Sequence, residues 1–267
     1  MSEAGNLRRR RLALRRRKRP RSTAMSMMEH LSELRTRLIA SLVGFGVVSI
    51  AAFLAFEPIT DLLLRPLCDL PSHLLGPNGC ELVFTSATEP ISVRLKVTAM
   101  AGVVCSSPLW LYQLWAFIVP GLTPKEKRYA LPFVLSSVTL FALGTVFAYI
   151  TLPNALEFLV GFGGDNLTPL FTAKEYLSFV SMIIIIFGVV FELPLLLYFL
   201  GLAEIVSLEA LRKARRMAIV GITMLSALVT PSQDPYTMLA MSVPLYALYE
   251  LVIALLGIRE KRRRSKA

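Results

Sequence analysis

The segment YLSFVSMIIIIFGVVFELPLLLYFLGL, residues Tyr176–Leu202, decides the class of fold, because its 27 residues carry only one charged side chain, Glu192. A helix needs about 20 mostly apolar residues to cross the hydrocarbon core of a bilayer. Backbone groups in lipid must be hydrogen-bonded within the protein, and the alternating pattern of a β-barrel strand is absent from this stretch. The segment is therefore predicted to be a membrane-spanning helix.

Five further apolar segments place the chain among polytopic membrane proteins. Three long ones precede Tyr176 and two weaker ones follow Leu202, namely Leu38–Phe56, Val97–Val119, Tyr129–Leu152, Met217–Val229 and Tyr236–Leu256. The whole chain is 55% hydrophobic and 18% charged, which is less charge than a soluble domain usually carries. We predict an all-α fold with six transmembrane helices.

The last two spans are predicted to be short. Residues 217–230 would extend about 21 Å as a helix, against a hydrocarbon core of about 30 Å. The apolar part of the sixth span is limited by Glu250. Short helices thin the bilayer or pack against partners, whereas snorkelling of Arg215 and Arg216 would let the fifth helix begin earlier.

The basic residues predict the orientation in the membrane. Of the 29 lysines and arginines, 25 lie in four segments: the N-terminal region through Arg37, the 120–128 loop, the loop before the fifth span and the tail from Arg259. Cytoplasmic loops are rich in such residues, so both termini are predicted to lie in the cytoplasm. The chain then divides into a basic, disordered extension (1–26), a membrane domain (27–258) and a basic tail (259–267).

Two glutamates in these basic segments are candidate binding residues. Glu33 precedes the first span and can pair with Arg37 one helical turn away, which is also typical of an ordinary helix start at the interface. Glu126 lies in the 120–128 loop, where capping of the next helix by Thr123 would equally explain it. Because a guanidinium prefers a bidentate carboxylate, the two glutamates together could bind two adjacent arginines.

Glu192 is a third candidate, because a carboxylate inside a membrane span is costly and marks function by default. It would face a cavity or a partner, or it would be protonated and hydrogen-bonded to the backbone beside Pro194. Prolines in or near the spans, at Pro108, Pro132, Pro194 and Pro244, predict kinked helices that could enclose a concave surface.

Cys68 and Cys80 lie twelve residues apart in the first outer loop. An oxidising exterior would permit a disulfide between them, and two free thiols are the alternative. Three cysteines and two distant histidines, His30 and His73, are too few for a predicted metal site or cofactor.

The same residues resemble the TatC family over about residues 27 to 258. The resemblance rests on an ordered set of motifs: His30-Leu-Ser-Glu33-Leu-Arg35, Pro66, Leu111–Leu122 with Trp115 and Phe117, Glu126, Phe187–Pro194, and Leu228-Val-Thr230-Pro231 followed by Asp234. The stretch after Pro231 is one residue longer than a common family form. The resemblance implies a cupped bundle of six helices with two short final ones.

The roles below are those that the resemblance implies. Glu33 and Glu126 would recognise the arginine pair of a twin-arginine signal peptide on folded cargo, with Arg35 and Phe117 in the same region. Glu192 would face the groove inside the membrane, and Pro66 and Asp234 would match positions important for transport. TatA and TatB subunits would dock at the last two helices of a self-associating complex, and the proton-motive force would drive export.

Two other classes of function are alternatives to a translocase. A proton-coupled carrier of small solutes could use Glu192 as its proton site, but such carriers usually show internal repeats, and none is evident. An enzyme would need a nucleophile with a base, metal ligands or paired aspartates in the membrane, and neither HExxH nor GxSxG occurs. The prediction is a non-enzymatic protein of the cytoplasmic membrane, with lipid around it and no nucleic-acid partner.

Overall fold

A computed structural model describes residues 27–75, 79–118, 130–164, 169–230 and 234–265 of the chain. In these ranges the regular structure is α-helical, apart from a short 3-10 turn at Ser72–Leu74 and one isolated parallel bridge between Val83 and Thr172. The predicted all-α class is confirmed.

Ten helices make up the part of the chain that the structure describes. They are α1 (Met27–Leu54), α2 (Phe56–Cys68), α3 (Glu89–Cys105), α4 (Ser107–Ile118), α5 (Ala130–Gly161), α6 (Ala173–Val190), α7 (Leu193–Leu202), α8 (Leu208–Lys213), α9 (Arg215–Val229) and α10 (Pro235–Arg264).

Within the described residues, four helical stretches are long and apolar enough to cross a membrane: α1, α5, α6 counted together with α7, and α10. The consecutive helices α3 and α4 meet at 54° and make a fifth span if they count as one. The predicted total of six also includes α9, whose 15 residues reach only about 22 Å. Length and composition therefore support five spans, with α9 shorter than the ~30 Å core.

Two expectations about individual helices are corrected. The predicted span Val97–Val119 is a bent pair, because the chain turns at Ser106 and Pro108 lies in the first turn of α4. The last helix is not short, since α10 has 30 residues and continues past Glu250 to Arg264. The boundary predicted after residue 258 thus falls inside a helix. Glu250 is accommodated there by an ion pair with Arg215 of α9, at 2.7 Å.

The core lies where α3, α5 and α6 meet. Its buried side chains include Val97, Ala148, Val180 and Phe187. Two glycines let α5 and α6 approach closely. A Cβ on Gly144 of α5 would lie 2.6 Å from the carbonyl oxygen of Phe187, and a Cβ on Gly188 of α6 would lie 2.8 Å from the Phe141 ring. Helices in lipid pack through such small residues because backbone proximity maximises van der Waals contact.

The bundle has two ends, which we name by residues. The Glu33 end holds the start of α1, the end of α4, the start of α5, the end of α7 and all of α8. The Cys68 end holds α2, the starts of α3 and α6, and the start of α10. This up-and-down arrangement determines which candidate residues can meet.

Candidate functional site

Glu33 is held against α4 at the Glu33 end by Arg37. The guanidinium donates to Glu33 Oε1 from Nε at 3.0 Å and from an Nη atom at 2.5 Å, and its other Nη donates to Gln113 Oε1 of α4 at 3.2 Å. The predicted pair between Glu33 and Arg37 is confirmed. The second carboxylate oxygen, Glu33 Oε2, is buried and has no hydrogen-bond partner among the described residues. Such an oxygen favours any donor that reaches it, because a buried unpaired acceptor costs free energy.

An aromatic contact completes this junction of α1 and α4. The rings of His30 and Phe117 stack with centroids 4.3 Å apart. His30, Glu33 and Arg37 lie at spacings of three and four residues, so they share one face of α1. The structure therefore brings Phe117 and Glu33 to the same site.

The structure does not place the other two residues of the predicted binding set, Arg35 and Glu126, beside Glu33. Arg35 is exposed on α1, two positions from Glu33, so its side chain leaves the helix on another face. Glu126 lies in the segment 119–129, outside the described residues. The structure places Glu33 but does not describe Glu126. That the two carboxylates act together therefore remains a proposal.

Glu192 lies at the break between α6 and α7 and is half-buried. Its Oε2 accepts a hydrogen bond from Ser137 Oγ of α5 at 2.6 Å. Its Oε1 is buried and lacks a partner in the part of the chain that the structure describes. The carboxyl group is therefore turned toward α5 and retains one oxygen for a further donor.

A wide apolar cavity of about 590 Å³ opens further along the same side of α5. It is lined by α1, α2, α3, α5 and α6, through residues such as Ala52, Leu62, Met100 and Thr145. Ser137, Phe141 and Thr145 recur every four residues on α5. These three side chains are buried and form one packed face of α5, which spans about 12 Å between the Glu192 contact and the cavity.

Pro66 lies inside α2, and its missing N–H leaves the Leu62 carbonyl without an intrahelical donor. Two tyrosines from other helices supply donors here. Tyr149 of α5 donates to Leu62 O and Tyr176 of α6 donates to the neighbouring Leu63 O, both at 2.8 Å. The sequence placed Pro66 only in a family motif, whereas the structure shows it inside α2, where two other helices dock. Neither tyrosine was predicted, because both look like ordinary apolar-span residues.

Changing Tyr149 to Phe is expected to destabilise the protein by about 1–3 kcal/mol, because the Leu62 carbonyl loses its donor. In a Pro66→Ala background the residue at 66 regains its N–H, so the same change should cost clearly less. Thermal unfolding in detergent of the four proteins of this double-mutant cycle measures the difference. Equal costs in both backgrounds would disprove the link between Pro66 and Tyr149.

Glu89 was also missed, since the sequence shows it only as one acidic residue among several. It is 3% exposed and accepts hydrogen bonds from the Thr85 N–H at 2.8 Å, from Thr85 Oγ1 at 3.0 Å and from the Lys174 N–H at 2.8 Å. The Val83–Thr172 bridge lies beside it. Glu89 therefore joins the first turns of α3 and α6 at the Cys68 end.

The cysteines of the same end lie in bonding geometry. The sulfur atoms of Cys68 and Cys80 are 2.25 Å apart and their Cα atoms 5.0 Å apart. A bond here would attach the end of α2 to the segment that carries the Val83 bridge. Cys105 of α3 is a free, exposed thiol.

If the bond forms in the cell, denatured protein should take up one maleimide-polyethylene glycol without reductant and three after reduction. Cys105 is the internal control, because its thiol reacts in both cases. A Cys68→Ser/Cys80→Ser protein should show one adduct under both conditions. Three adducts on the unreduced native sequence would leave the two cysteines as free thiols.

Asp234 has a structural reason to be acidic. It is buried directly before α10, and Oδ1 accepts the N–H of Thr237 at 2.8 Å while the Thr237 hydroxyl donates to Oδ2. Pro235 occupies the first position of the helix, so Asp234 is its N-cap. No group of three or more His, Cys, Asp or Glu residues within the described ranges could hold a metal ion.

The features assembled so far define a polytopic helical membrane protein. At the Glu33 end, the Glu33 carboxylate lies where α1 meets α4. At the Cys68 end, hydrogen bonds join α2, α3, α5 and α6. Comparison with known proteins gives the family. The model of TatC, described as a Sec-independent protein translocase protein, matches residues 29–244. The chain belongs to the TatC family.

Relatives and solved structures agree over most of the chain. TatC of Frankia casuarinae is 45% identical over 89% of this chain and 67% of its own length, and TatC of Aquifex aeolicus is 39% identical over 91% and 100%. The chain covers 63% of the Corynebacterium kroppenstedtii relative, at 35% identity. A crystal structure of the twin-arginine translocase receptor TatC in DDM superimposes with a TM-score of 0.73 at 38% identity, over 85% of this chain and 99% of that one.

Proposed function

We propose that this chain is the receptor and core subunit of a twin-arginine translocase, which binds the signal peptide of folded proteins for export. The observation that carries the proposal is Glu33, whose Oε2 is buried without a partner among the described residues while Arg37 holds Oε1. A guanidinium supplies the donors that such an oxygen needs. Glu126, Arg35 and Phe117 are proposed to complete the site.

The apolar part of the bound peptide is proposed to insert along a groove in the membrane that Glu192 faces and that continues to the 590 Å³ cavity. Its apolar lining suits a hydrophobic helix, and the free Oε1 of Glu192 suits one polar group of the incoming peptide or of a partner. Pro66 is proposed to matter for transport because it exposes the carbonyl that Tyr149 uses to dock α2 beside this cavity.

The Glu33 end is proposed to face the cytoplasm, with both termini, the extension 1–26 and the tail 259–267 on that side. The positive charge of these segments supports the orientation. TatA and TatB subunits are proposed to dock at α9 and α10, since α9 is too short to span alone and its Met217, Val220, Met224 and Leu228 are exposed. The proton-motive force would drive the export step.

Site-specific photo-crosslinking tests the receptor role. A photoreactive residue replaces Leu34, next to Glu33, and the membranes receive a radiolabelled twin-arginine precursor or its twin-lysine counterpart. The twin-arginine precursor should crosslink and the twin-lysine precursor should not, and Glu33→Gln should strongly reduce the yield of the adduct. The same probe at Ile205, an exposed residue after α7, is the control and should remain unlabelled. Absence of any adduct with folded protein would reject the proposal.

A further inference from the structure

A second cavity, of about 410 Å³, lies at the Glu33 end and away from Glu33, between the start of α5, α7 and the end of α10. Most of its wall is apolar, and the lining side chains include Phe133, Leu195, Phe199, Leu202, Leu255 and Ile258. Its volume lies within the range of about 300–1,000 Å³ that is typical of small-molecule sites. The function proposed above does not use it.

Two arginines close one side of this cavity. Arg259 and Arg262 follow Leu255 on one face of α10, at spacings of four and three residues, and both are exposed. Arg259 makes one long contact with the Leu202 carbonyl, at 3.5 Å, and neither arginine forms an ion pair within the described part of the chain. No aspartate or glutamate is among the described residues that line the cavity. The site is therefore an apolar cavity with two positively charged arginine side chains at its opening.

We propose that this cavity binds one anionic phospholipid, with an acyl chain between α7 and α10 and its phosphate on Arg259 and Arg262. Basic pockets between membrane helices are suited to acidic lipid headgroups. Arg259 and Arg262 are at the end of the candidate span Pro235–Arg262, where a headgroup would lie, and the apolar wall suits an acyl chain. A twin-arginine peptide is excluded from this mouth by like charge. A free phosphate ion would leave the apolar slot unfilled.

The chain contains its own reporter of occupancy. Trp115 packs on two wall residues, with ring centroids 5.1 Å from Phe133 and 5.4 Å from Phe199. Trp110 is the only other tryptophan in the chain and packs on Phe141 instead. In a Trp110→Phe protein, fluorescence therefore reports on the cavity alone.

The test uses this protein in phosphatidylcholine bilayers that contain a few per cent of a dibrominated lipid, whose bromines quench nearby tryptophan. Dibromo-phosphatidylglycerol should quench Trp115 at least threefold more strongly than dibromo-phosphatidylcholine. Arg259→Gln with Arg262→Gln should abolish this preference. Lys261→Gln, an exposed change on the same helical turn that does not line the cavity, should leave it intact. Millimolar inorganic phosphate should not relieve the quenching.

Each opposite outcome overturns the proposal. Equal quenching by the two lipids would show that the cavity does not select charge. An unchanged preference in the double variant would place the lipid elsewhere, and an equal loss in Lys261→Gln would show general surface attraction. Relief by inorganic phosphate would mean that the arginines bind the free ion.

Discussion

Replacing Glu33 by glutamine is expected to weaken binding of a twin-arginine signal peptide by about 10- to 100-fold. A hydrogen bond between charged groups contributes about 1.5–3 kcal/mol, and the buried Oε2 offers such a bond to a guanidinium. Glutamine keeps the shape of the side chain and an oxygen for Arg37, but it loses the negative charge. Titration of purified protein with a fluorescent signal peptide measures the affinity.

Matched controls separate binding from folding. Arg37 keeps its bond to Gln113 in Glu33→Gln, and a partly exposed ion pair contributes only about 0–1 kcal/mol, so thermal stability should hardly change. Glu209→Gln removes an exposed carboxylate of α8 at the same end and should bind peptide normally. Unchanged affinity in Glu33→Gln would remove Glu33 from the site. An equal loss of affinity in Glu209→Gln would show that the effect comes from the net charge of this end of the protein and not from Glu33 itself.

The second large effect is expected at Gly144, where α5 meets α6. A Cβ at this position would lie 2.6 Å from the Phe187 carbonyl oxygen, and the backbone of α6 cannot rotate away as a side chain would. Gly144→Leu should therefore separate the two helices at the centre of the core. We expect a loss of about 3 kcal/mol or more, visible as a lower melting temperature or as aggregation on gel filtration.

Gly46 of α1 provides the same substitution without the clash. Nothing lies within 4 Å of a Cβ built there, so Gly46→Leu should fold like the native protein. The Gly188→Leu change, whose Cβ would contact the Phe141 ring at 2.8 Å, should resemble Gly144→Leu. If the Gly144→Leu protein had the same melting temperature as the native protein, α5 and α6 would not be in close contact at this position.

The long spans could be predicted from sequence because they depend on one-dimensional properties. A run such as Tyr176–Leu202 has no other stable form in lipid, and the Glu33–Arg37 pair requires only a helix and a spacing of four. The 54° bend between α3 and α4 could not be measured in this way. Pro108 signals a break but does not give its angle, and the Trp110 Nε1–H bond to the Val103 carbonyl across the bend, at 3.0 Å, is visible only in the structure.

Other features lay beyond sequence reasoning for the same reason. Tyr149 finds the Leu62 carbonyl across 87 positions, and Glu89 finds the Lys174 N–H across 85. No local pattern reports such partners. The last helix was predicted to be short because Glu250 interrupts its apolar run, yet Arg215 of a neighbouring helix supplies the counter-charge. A charged side chain inside a membrane helix is tolerated when a neighbouring helix supplies the opposite charge. Only the packed arrangement of the helices shows such a pair.

Hydrogen bonds between helices are numerous at the Cys68 end. There Glu89 links α3 to α6, Tyr149 and Tyr176 hold α2 against α5 and α6, and Arg94 of α3 donates to the Phe53 carbonyl of α1 at 3.2 Å. At the opposite end, α1 and α4 meet through the Arg37–Gln113 bond and one stacked ring pair. A change in the angle between α1 and α4 at the Glu33 end would therefore leave the hydrogen bonds that hold α2, α3 and α6 together at the Cys68 end in place.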